Sequence, residues 1–527
     1  MIFKSAHPDV TIPSVPIHEF VLRHAQRLAD KPALIDGPSG RTLTYGQLAG
    51  GIRACAAGLA ARGFKKGDVF AIYCPNLPEY AIAFLGVAMA GGINTTVNPL
   101  YTVDELANQL NDSKARFLVT IAPFLDKAKE AAAKSKVEEV FVMGDAPGAT
   151  PFSALLAGGK APPAIRFDTA NDLVALPYSS GTTGLPKGVM LTHRNLVANL
   201  AQCEGMKSFE GFGENDVSIA VLPFFHIYGM VVIQLYVLAK GATLITLPKF
   251  DLEEFLGTIQ KYKVTVAPLV PPIVLALAKH PVVDKYNLKS LRMIFCGAAP
   301  LGEGVALEAA RRVGCKVAQG YGMTEASPVT HLSPSQRPDY KVASSGSVVP
   351  NTEVMVVDPV TLQPQGVGAE GELWIRGPQI MKGYLNRPKD TADSITPEGW
   401  YRTGDIGKVD EQGYFFVVDR LKELIKYKGM QVAPAELEAL VLTHPAVADV
   451  AVIPSPDEEA GEIPKAFIVL KAGQQLTAEA LMDFVSGKVA PHKKIRRVEF
   501  IAQVPKSASG KILRRVLVQQ ERQSRAP

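Results

Sequence analysis

The densest chemistry in the chain is a short stretch of hydroxyls and glycines ending in a lysine. It reads Pro177-Tyr178-Ser179-Ser180-Gly181-Thr182-Thr183-Gly184-Leu185-Pro186-Lys187-Gly188-Val189 and follows the apolar run 173–176. Glycines let a backbone turn tightly and approach a ligand closely. Successive N–H groups in such a turn form a concavity for anions, and Ser and Thr hydroxyls add donors. A polyphosphate suits it, although the spacing is not the G-x-x-x-x-G-K-[ST] of the common nucleotide loop. A flexible surface loop would have a similar composition, so the other chemistry-bearing residues must decide.

Glu325 closes the run Gln319-Gly320-Tyr321-Gly322-Met323-Thr324-Glu325. One carboxylate plus phosphate oxygens is a common way to hold Mg²⁺; alone, the run is also a strand-to-helix turn with Thr324 as its cap. In Gly297-Ala298-Ala299-Pro300 the side chains are small enough for a flat ring to approach, or for tight helix–strand packing. Asp405, in Trp400-Tyr401-Arg402-Thr403-Gly404-Asp405, can accept two hydrogen bonds from a diol, or form a turn. His226 heads an apolar helix, where a histidine is commonly a satisfied core residue. Lys511 follows Pro505 and Gly510, and a lone C-terminal lysine is ordinarily solvated surface.

Together these strings resemble the adenylate-forming enzymes, the superfamily of acyl-CoA synthetases, peptide-synthetase adenylation domains and beetle luciferases. The likeness is strongest to 4-coumarate–CoA ligases and runs from about Thr44 to Arg514. It implies ATP, Mg²⁺ and coenzyme A. By resemblance, Ser179, Ser180, Gly181, Thr182, Thr183, Gly184 and Lys187 hold the β- and γ-phosphates. Gly297, Ala298, Ala299 and Pro300, with Gln319, Gly320, Tyr321 and Gly322, form the adenine slot. Thr324 touches the α-phosphate, Glu325 holds the metal, Asp405 binds the ribose, and Arg420 contacts ribose and phosphate. Lys511 bridges the acyl carboxylate and α-phosphate during adenylation. Lys426 and Gln431 serve the adenylate and the thioester step from the other face of the same small domain. Lys428, Gly429 and Met430 line the pantetheine channel, and Lys249 contacts the CoA nucleotide. His226 gates an acyl pocket made with Tyr228, Met230, Ala298, Gly320, Gly322, Pro328 and Val329. Two active faces cannot meet one adenylate from one orientation, so a rotation about Lys422 is implied. Ser327 and Thr330 depart from the family's common Gly and aliphatic residue, which bears on pocket size.

The elements that must carry these residues are legible in outline. Runs of strand length at 69–73, 117–120, 218–222, 242–247, 264–269 and 292–295 alternate with longer segments of helical spacing. Thr102 with Glu105, and Asp251 with Glu254, mark helix starts. This alternation predicts layered α/β structure with mainly parallel sheets. After Lys341, β-rich runs at 354–357, 372–375 and 414–418 predict a small barrel or distorted sheet. A fresh α+β unit follows: helices at 433–443 and 477–489, strands at 449–453, 466–470 and 498–501. The expected division is an ATP- and acyl-binding domain over 1–420 and a mobile domain over 423–527, hinged near Lys422.

At 527 residues the chain is too long for one ordinary core. A net charge of +5 is small for this length and gives no nucleic-acid stripe. The five cysteines are scattered with no C-x-x-C pair, which indicates neither zinc nor disulfides and fits a reducing compartment. No signal pattern, membrane span or Ser-Lys-Leu ending is present, so the cytoplasm is expected, as a monomer or homodimer. The expected activity is ATP-dependent ligation of CoA to an aromatic (hydroxycinnamate-type) or medium-chain carboxylic acid through acyl-AMP. The alternatives are a luciferase-like monooxygenase acting on its adenylate, a fatty-acyl ligase loading a carrier protein, and a nucleotide sensor without turnover.

Overall fold

The computed structural model describes residues 1–157, 161–179, 186–428, 430–507 and 510–524. Two nine-stranded sheets form the large N-terminal part. In the first, the strands Val69–Ile72, Ile93–Thr96, Ala115–Ile121 and Glu139–Met143 run parallel, and antiparallel Lys187–Thr192 and Tyr178–Ser179 lie at one side. In the second, Pro32–Asp36, Thr243–Thr246, Val217–Ala220, Val266–Leu269, Met293–Cys296 and Lys316–Gly322 are parallel neighbours. The strands are buried on both faces, as parallel sheets flanked by helices require. Phe64, Phe70, Phe117 and Phe141 stack and cross at ring distances of 5.6–6.4 Å within one continuous core.

The expected helix starts are present. Thr102 accepts the Glu105 N–H and Glu105 returns a bond to the Thr102 N–H. Asp251 accepts the Glu254 N–H at 2.9 Å. Thr44–Gln47 and Thr192–Asn195 form further capping boxes. The second continues the strand Lys187–Thr192 directly into the helix His193–Gly205, fixing the far end of the glycine-rich stretch.

The region after Lys341 is an open five-stranded antiparallel sheet rather than a barrel: Phe3–Lys4, Glu353–Val357, Gly371–Arg376, Tyr401–Val409 and Phe415–Arg420. The edge strand comes from the N-terminus, a pairing no local pattern announces. The C-terminal unit has its own five-stranded sheet and its own core of Ile425, Val432, Leu437, Val450, Val452, Ile468 and Leu481. Its main hairpin, Val447–Asp457 with Gly461–Leu470, is longer than the sequence runs suggested. The hairpin Ile425–Tyr427/Met430–Val432 and the last helix, Arg514–Ser524, were not anticipated. Among the described residues no helix is long and apolar enough to cross a membrane.

Gly58 marks a close crossing of two helices. A Cβ there would lie 1.9 Å from the Leu155 carbonyl oxygen. Gly58→Ala must therefore push the helix Ser153–Ala157 away from Tyr45–Ala61, at a cost of about 2 kcal/mol. A lowered melting temperature by calorimetry checks this.

Candidate active site

The Pro223–His226 turn is held between the two large sheets. Asn76 donates to the carbonyls of Ala220 (3.1 Å) and Leu222 (2.8 Å) and accepts the Phe224 N–H at 2.8 Å. Thr96 donates to the Phe225 carbonyl at 2.9 Å. The helix that follows opens as a π-helix, Tyr228–Leu235, a local irregularity that often accompanies functional sites. Gly229 is obligatory here, since a Cβ would sit 2.0 Å from the Pro223 carbonyl oxygen. The Tyr228 hydroxyl donates to the Phe295 carbonyl at 2.9 Å, which fixes the ring against Gly297. Met230 is fully buried and presents no open surface to a pocket; Pro328 and Val329 are also buried.

The strand Lys316–Gly322 ends beside that turn. A Cβ on Gly320 would meet the Phe295 ring at 2.7 Å, and one on Gly322 the Pro328 carbonyl oxygen at 2.1 Å, so both positions keep bare backbone for steric reasons. Gln319 does not point into open space. Its amide accepts the Leu301 N–H (3.0 Å) and donates to the carbonyls of Leu301 (3.1 Å) and Val342 (2.7 Å), which secures the segment that follows Gly297–Pro300. In that segment Ala298 takes a left-handed conformation at φ +70°, an uncommon choice for a residue with a Cβ.

Glu325 lies in the short turn Thr324–Ala326 with its carboxylate buried. One oxygen, Oε1, accepts from Ser179 (3.0 Å) and from the Tyr384 hydroxyl (2.9 Å); Oε2 has no hydrogen-bond donor among the described residues. The Glu325 carbonyl accepts the Met381 N–H at 2.8 Å. Asn195, from the capping box, donates to the carbonyls of Pro378 and Ile380 and so ties this tether to the strand Lys187–Thr192. Tyr384 pairs with Val189 across that strand, and the Lys187 ammonium lies 5.2 Å from its ring centroid. Lys187 also forms a 2.6 Å ion pair with Asp390. Tyr384 thus touches the carboxylate and the cation of the site; Gly383-Tyr384 carried no sequence signal that singled it out. Ser180, Gly181, Thr182, Thr183, Gly184 and Gly429 lie outside the described residues.

Asp405 and Arg420 face each other across antiparallel strands, with Nε to Oδ1 at 3.4 Å. The Tyr321 hydroxyl donates to Asp405 Oδ2 at 2.6 Å. Burial raises the Asp405 pKa; Arg420, Tyr321 and Lys511 counter it. Lys511 comes from the C-terminal unit. Burial lowers its pKa first and Arg420 adds to this, while Asp405, Glu325 and Glu423 favour its charge. His226 also feels Lys511: burial, then the lysine's charge, brings its pKa down to about 3. Lys511 is thus near enough for the charges of Glu325, Asp405 and Arg420 to act on it, and for its own to act on His226, although among the described residues it forms no ion pair within 4 Å. Beside it, a Cβ on Gly510 would be 3.0 Å from Val270.

The other face of the C-terminal unit is not brought here. Lys426 and Gln431 oppose one another on an exposed hairpin, and Lys428 pairs with Glu459. Met430 is 44% exposed. Lys249 is exposed and joins none of these groups. The departures Ser327 and Thr330 are fully buried; their hydroxyls donate to Gln379 O (2.9 Å) and Tyr321 O (3.2 Å). They brace the walls instead of lining a pocket.

A buried carboxylate, half-buried cations and a strand end carrying a hydroxyl are what a bound nucleotide requires, and comparison with known proteins agrees. Residues 21–385 match the AMP-binding enzyme family, and 436–511 match its C-terminal domain. The chain belongs to the AMP-binding enzymes. It is 47% identical over 526 residues to 4-coumarate–CoA ligase 1 of Petroselinum crispum, covering 98% of this chain and 96% of that one. Among solved structures it is similar to the anthranilate CoA ligase AuaEII in complex with anthranoyl-AMP (TM-score 0.89, 25% identity, 97% and 98% of the two chains). It is also similar to MatB from Rhodopseudomonas palustris (28% identity, 96% and 99% covered), with a TM-score of 0.85 to the ATP-bound form and 0.76 to the apo form.

The depressed pKa has a testable consequence. Below pH 6.5 the unfolded chain protonates His226 and the folded enzyme does not, so this residue withdraws stability as pH falls from 6.5 towards 3. Between pH 7 and pH 5 the melting temperature of this family member should fall further than that of its His226→Asn variant, by about 1–2 °C.

Proposed function

We propose that the protein is an ATP-dependent acid–CoA ligase, AMP-forming, which activates an aromatic acid of the hydroxycinnamate type or a medium-chain acid. The reaction has two steps. The acid's carboxylate attacks the α-phosphorus of ATP, giving acyl-AMP and pyrophosphate. The CoA thiolate then attacks the acyl carbon, giving the thioester and AMP. The observation that carries the reading is the buried Asp405 held by Arg420 and Tyr321, with Glu325 held by Ser179 and the charge of Lys511 acting on both carboxylates.

The first step brings two anions together, so its catalysis is positioning and charge neutralisation. Lys511 carries the bridging charge between the acyl carboxylate and the α-phosphate. Arg420 supports it from the ribose side. Asp405 accepts from the ribose hydroxyls, steadied by the Tyr321 hydroxyl, while the Tyr321 ring lies against the adenine. Ser179, Lys187 and the stretch 180–184 take the pyrophosphate portion. Gly320 and Gly322, held bare by their close contacts, let the nucleotide lie on the backbone, and Thr324 reaches the α-phosphate.

Glu325 suits Mg²⁺: it is a lone buried carboxylate with one oxygen free of donors among the described residues. Those residues include no group of three or more His, Cys, Asp or Glu that could hold a metal, as expected where phosphate supplies most oxygens. Bound there, Mg²⁺ would neutralise phosphate charge. Ser179 and Tyr384 orient the carboxylate.

For the second step Lys426, Gln431, Lys428, Gly429 and Met430 replace Lys511 after the small domain turns about Lys422. Lys249 meets the CoA nucleotide. His226, neutral at working pH, stands between acyl group and thiol without placing a charge in the pocket. Tyr228, Ala298, Gly320 and Gly322 form an uncharged acyl wall, which supports an aromatic or alkyl acid over a diacid.

Lys511→Ala should lower ATP–pyrophosphate exchange by about a hundredfold or more while sparing thioester formation from supplied acyl-AMP. Equal loss in both steps, or none, counts against the assignment. A panel of hydroxycinnamic, benzoic and C4–C12 fatty acids, scored by kcat/KM with CoA, tests the substrate class. Hydroxycinnamates or medium-chain acids should lead; a dicarboxylic acid added to the panel should be poor, and preference for it would overturn the pocket reading.

A further inference from the structure

The helix Pro434–Val441, the first helix of the small domain, lacks a capping side chain of its own, since its N-cap is Ala433. The acceptor comes from the large domain. Asp419 sits on the strand Phe415–Arg420, before the pivot, and its Oδ2 accepts the Ala435 N–H at 2.8 Å; Oδ1 accepts the Arg420 N–H at 2.7 Å. The carboxylate is buried, and Arg514 of the small domain is the first charge that offsets this burial.

Arg514 is itself fixed within the small domain. It pairs with Glu438 (2.6 Å), on the helix Pro434–Val441, and with Glu423 (2.5 Å), just past the pivot. It begins the helix Arg514–Ser524, close behind Lys511 in sequence. Arg514, Glu438 and Glu423 travel together when the domain turns about Lys422. Asp419 does not. A cap bond is short and directional, so rotation that carries Ala435 away breaks it. Apolar packing also crosses the pivot, with Ile406 of the large domain against Leu424 and Ala433, and such packing is less directional than a hydrogen bond.

We propose that Asp419 is a positioning residue for the adenylation half-reaction: it caps the first helix of the small domain from across the pivot and so holds Lys511 among Asp405, Arg420 and Glu325. The inference rests on the two-face reading above. Asp419 is absent from the site residues that the sequence picked out, and it touches no reacting atom. Its carboxylate favours one domain orientation over the other.

Measuring both half-reactions on the same preparations tests this, using the best acid of the panel and its synthetic adenylate. Asp419→Ala should slow single-turnover acyl-AMP formation about fivefold, the scale of a lost helix cap. Thioester formation from supplied acyl-AMP should hold its rate or rise. Asp419→Asn keeps an acceptor in the same shape and should fall between Ala and wild type. The proposal is overturned if Asp419→Ala slows both steps equally, as general unfolding would, or leaves acyl-AMP formation untouched. Lys511→Ala run in parallel separates the two failures. If it splits the half-reactions and Asp419→Ala does not, Asp419 alone is misassigned. If Lys511→Ala splits nothing, the two-face reading fails and Asp419 with it.

Discussion

The structure depends on the desolvation of Asp405. A buried carboxylate costs several kcal/mol unless paired, and here the compensation is assembled from three parts of the chain. Tyr321 arrives from the second parallel sheet, Arg420 from the neighbouring antiparallel strand, and Lys511 from the C-terminal domain. At an effective dielectric near 20, two unit charges about 4 Å apart interact by roughly 4 kcal/mol. The Asp405–Arg420 pair is of that kind; among the described residues Lys511 forms no ion pair so close, and its attraction to Asp405 is weaker. The coupling is mutual: Lys511, itself penalised by burial, is favoured as a cation by Asp405 and Glu325.

Around this cluster the backbone does work that side chains could not. Gly320, Gly322 and Gly229 each lie where a Cβ would collide with a carbonyl or a ring. Gln319 and Asn76 spend their amides on the framework, and Thr192–Asn195 joins a strand end to the tether of Glu325. The reactive groups are few; the polar groups that hold them are many and buried. Preorganisation of this kind keeps the charges in position before substrate arrives.

How far the sequence disclosed this follows from the range of each signal. Strand runs at 69–73 and 264–269 and the Thr102–Glu105 box are local, and they appear within a residue or two of expectation. Asp405 and Glu325 stood out because their flanking residues form distinctive strings. Tyr384 did not, since its importance lies in a hydroxyl bond to a residue far away in sequence. Nor did Asp419, whose partner is a bare N–H on a helix of the other domain. The edge strand Phe3–Lys4 escaped for the same reason: two residues hold no period, and the partner Glu353–Val357 is distant. Ser327 and Thr330 bear on pocket size in the sequence alone, whereas their side-chain directions are set by backbone carbonyls elsewhere in the chain, Gln379 O and Tyr321 O.

The contrast between Lys511 and Lys426 bears on the arrangement the C-terminal unit takes here. Lys426 lies on an exposed hairpin and keeps its hydration, so leaving it outside costs nothing. Lys511 is half-buried and loses hydration, and the charges of Asp405 and Glu325 favour its cationic form there. On the two-face reading proposed above, acyl-AMP formation would spend the ATP charge and pyrophosphate would carry much of it away, so the electrostatic case for Lys511 in the site would weaken. Alternation between the faces would then need no separate motor: the change in net charge between ATP and acyl-AMP would supply the bias, and directional contacts across the pivot would set how sharply the domain responds to it.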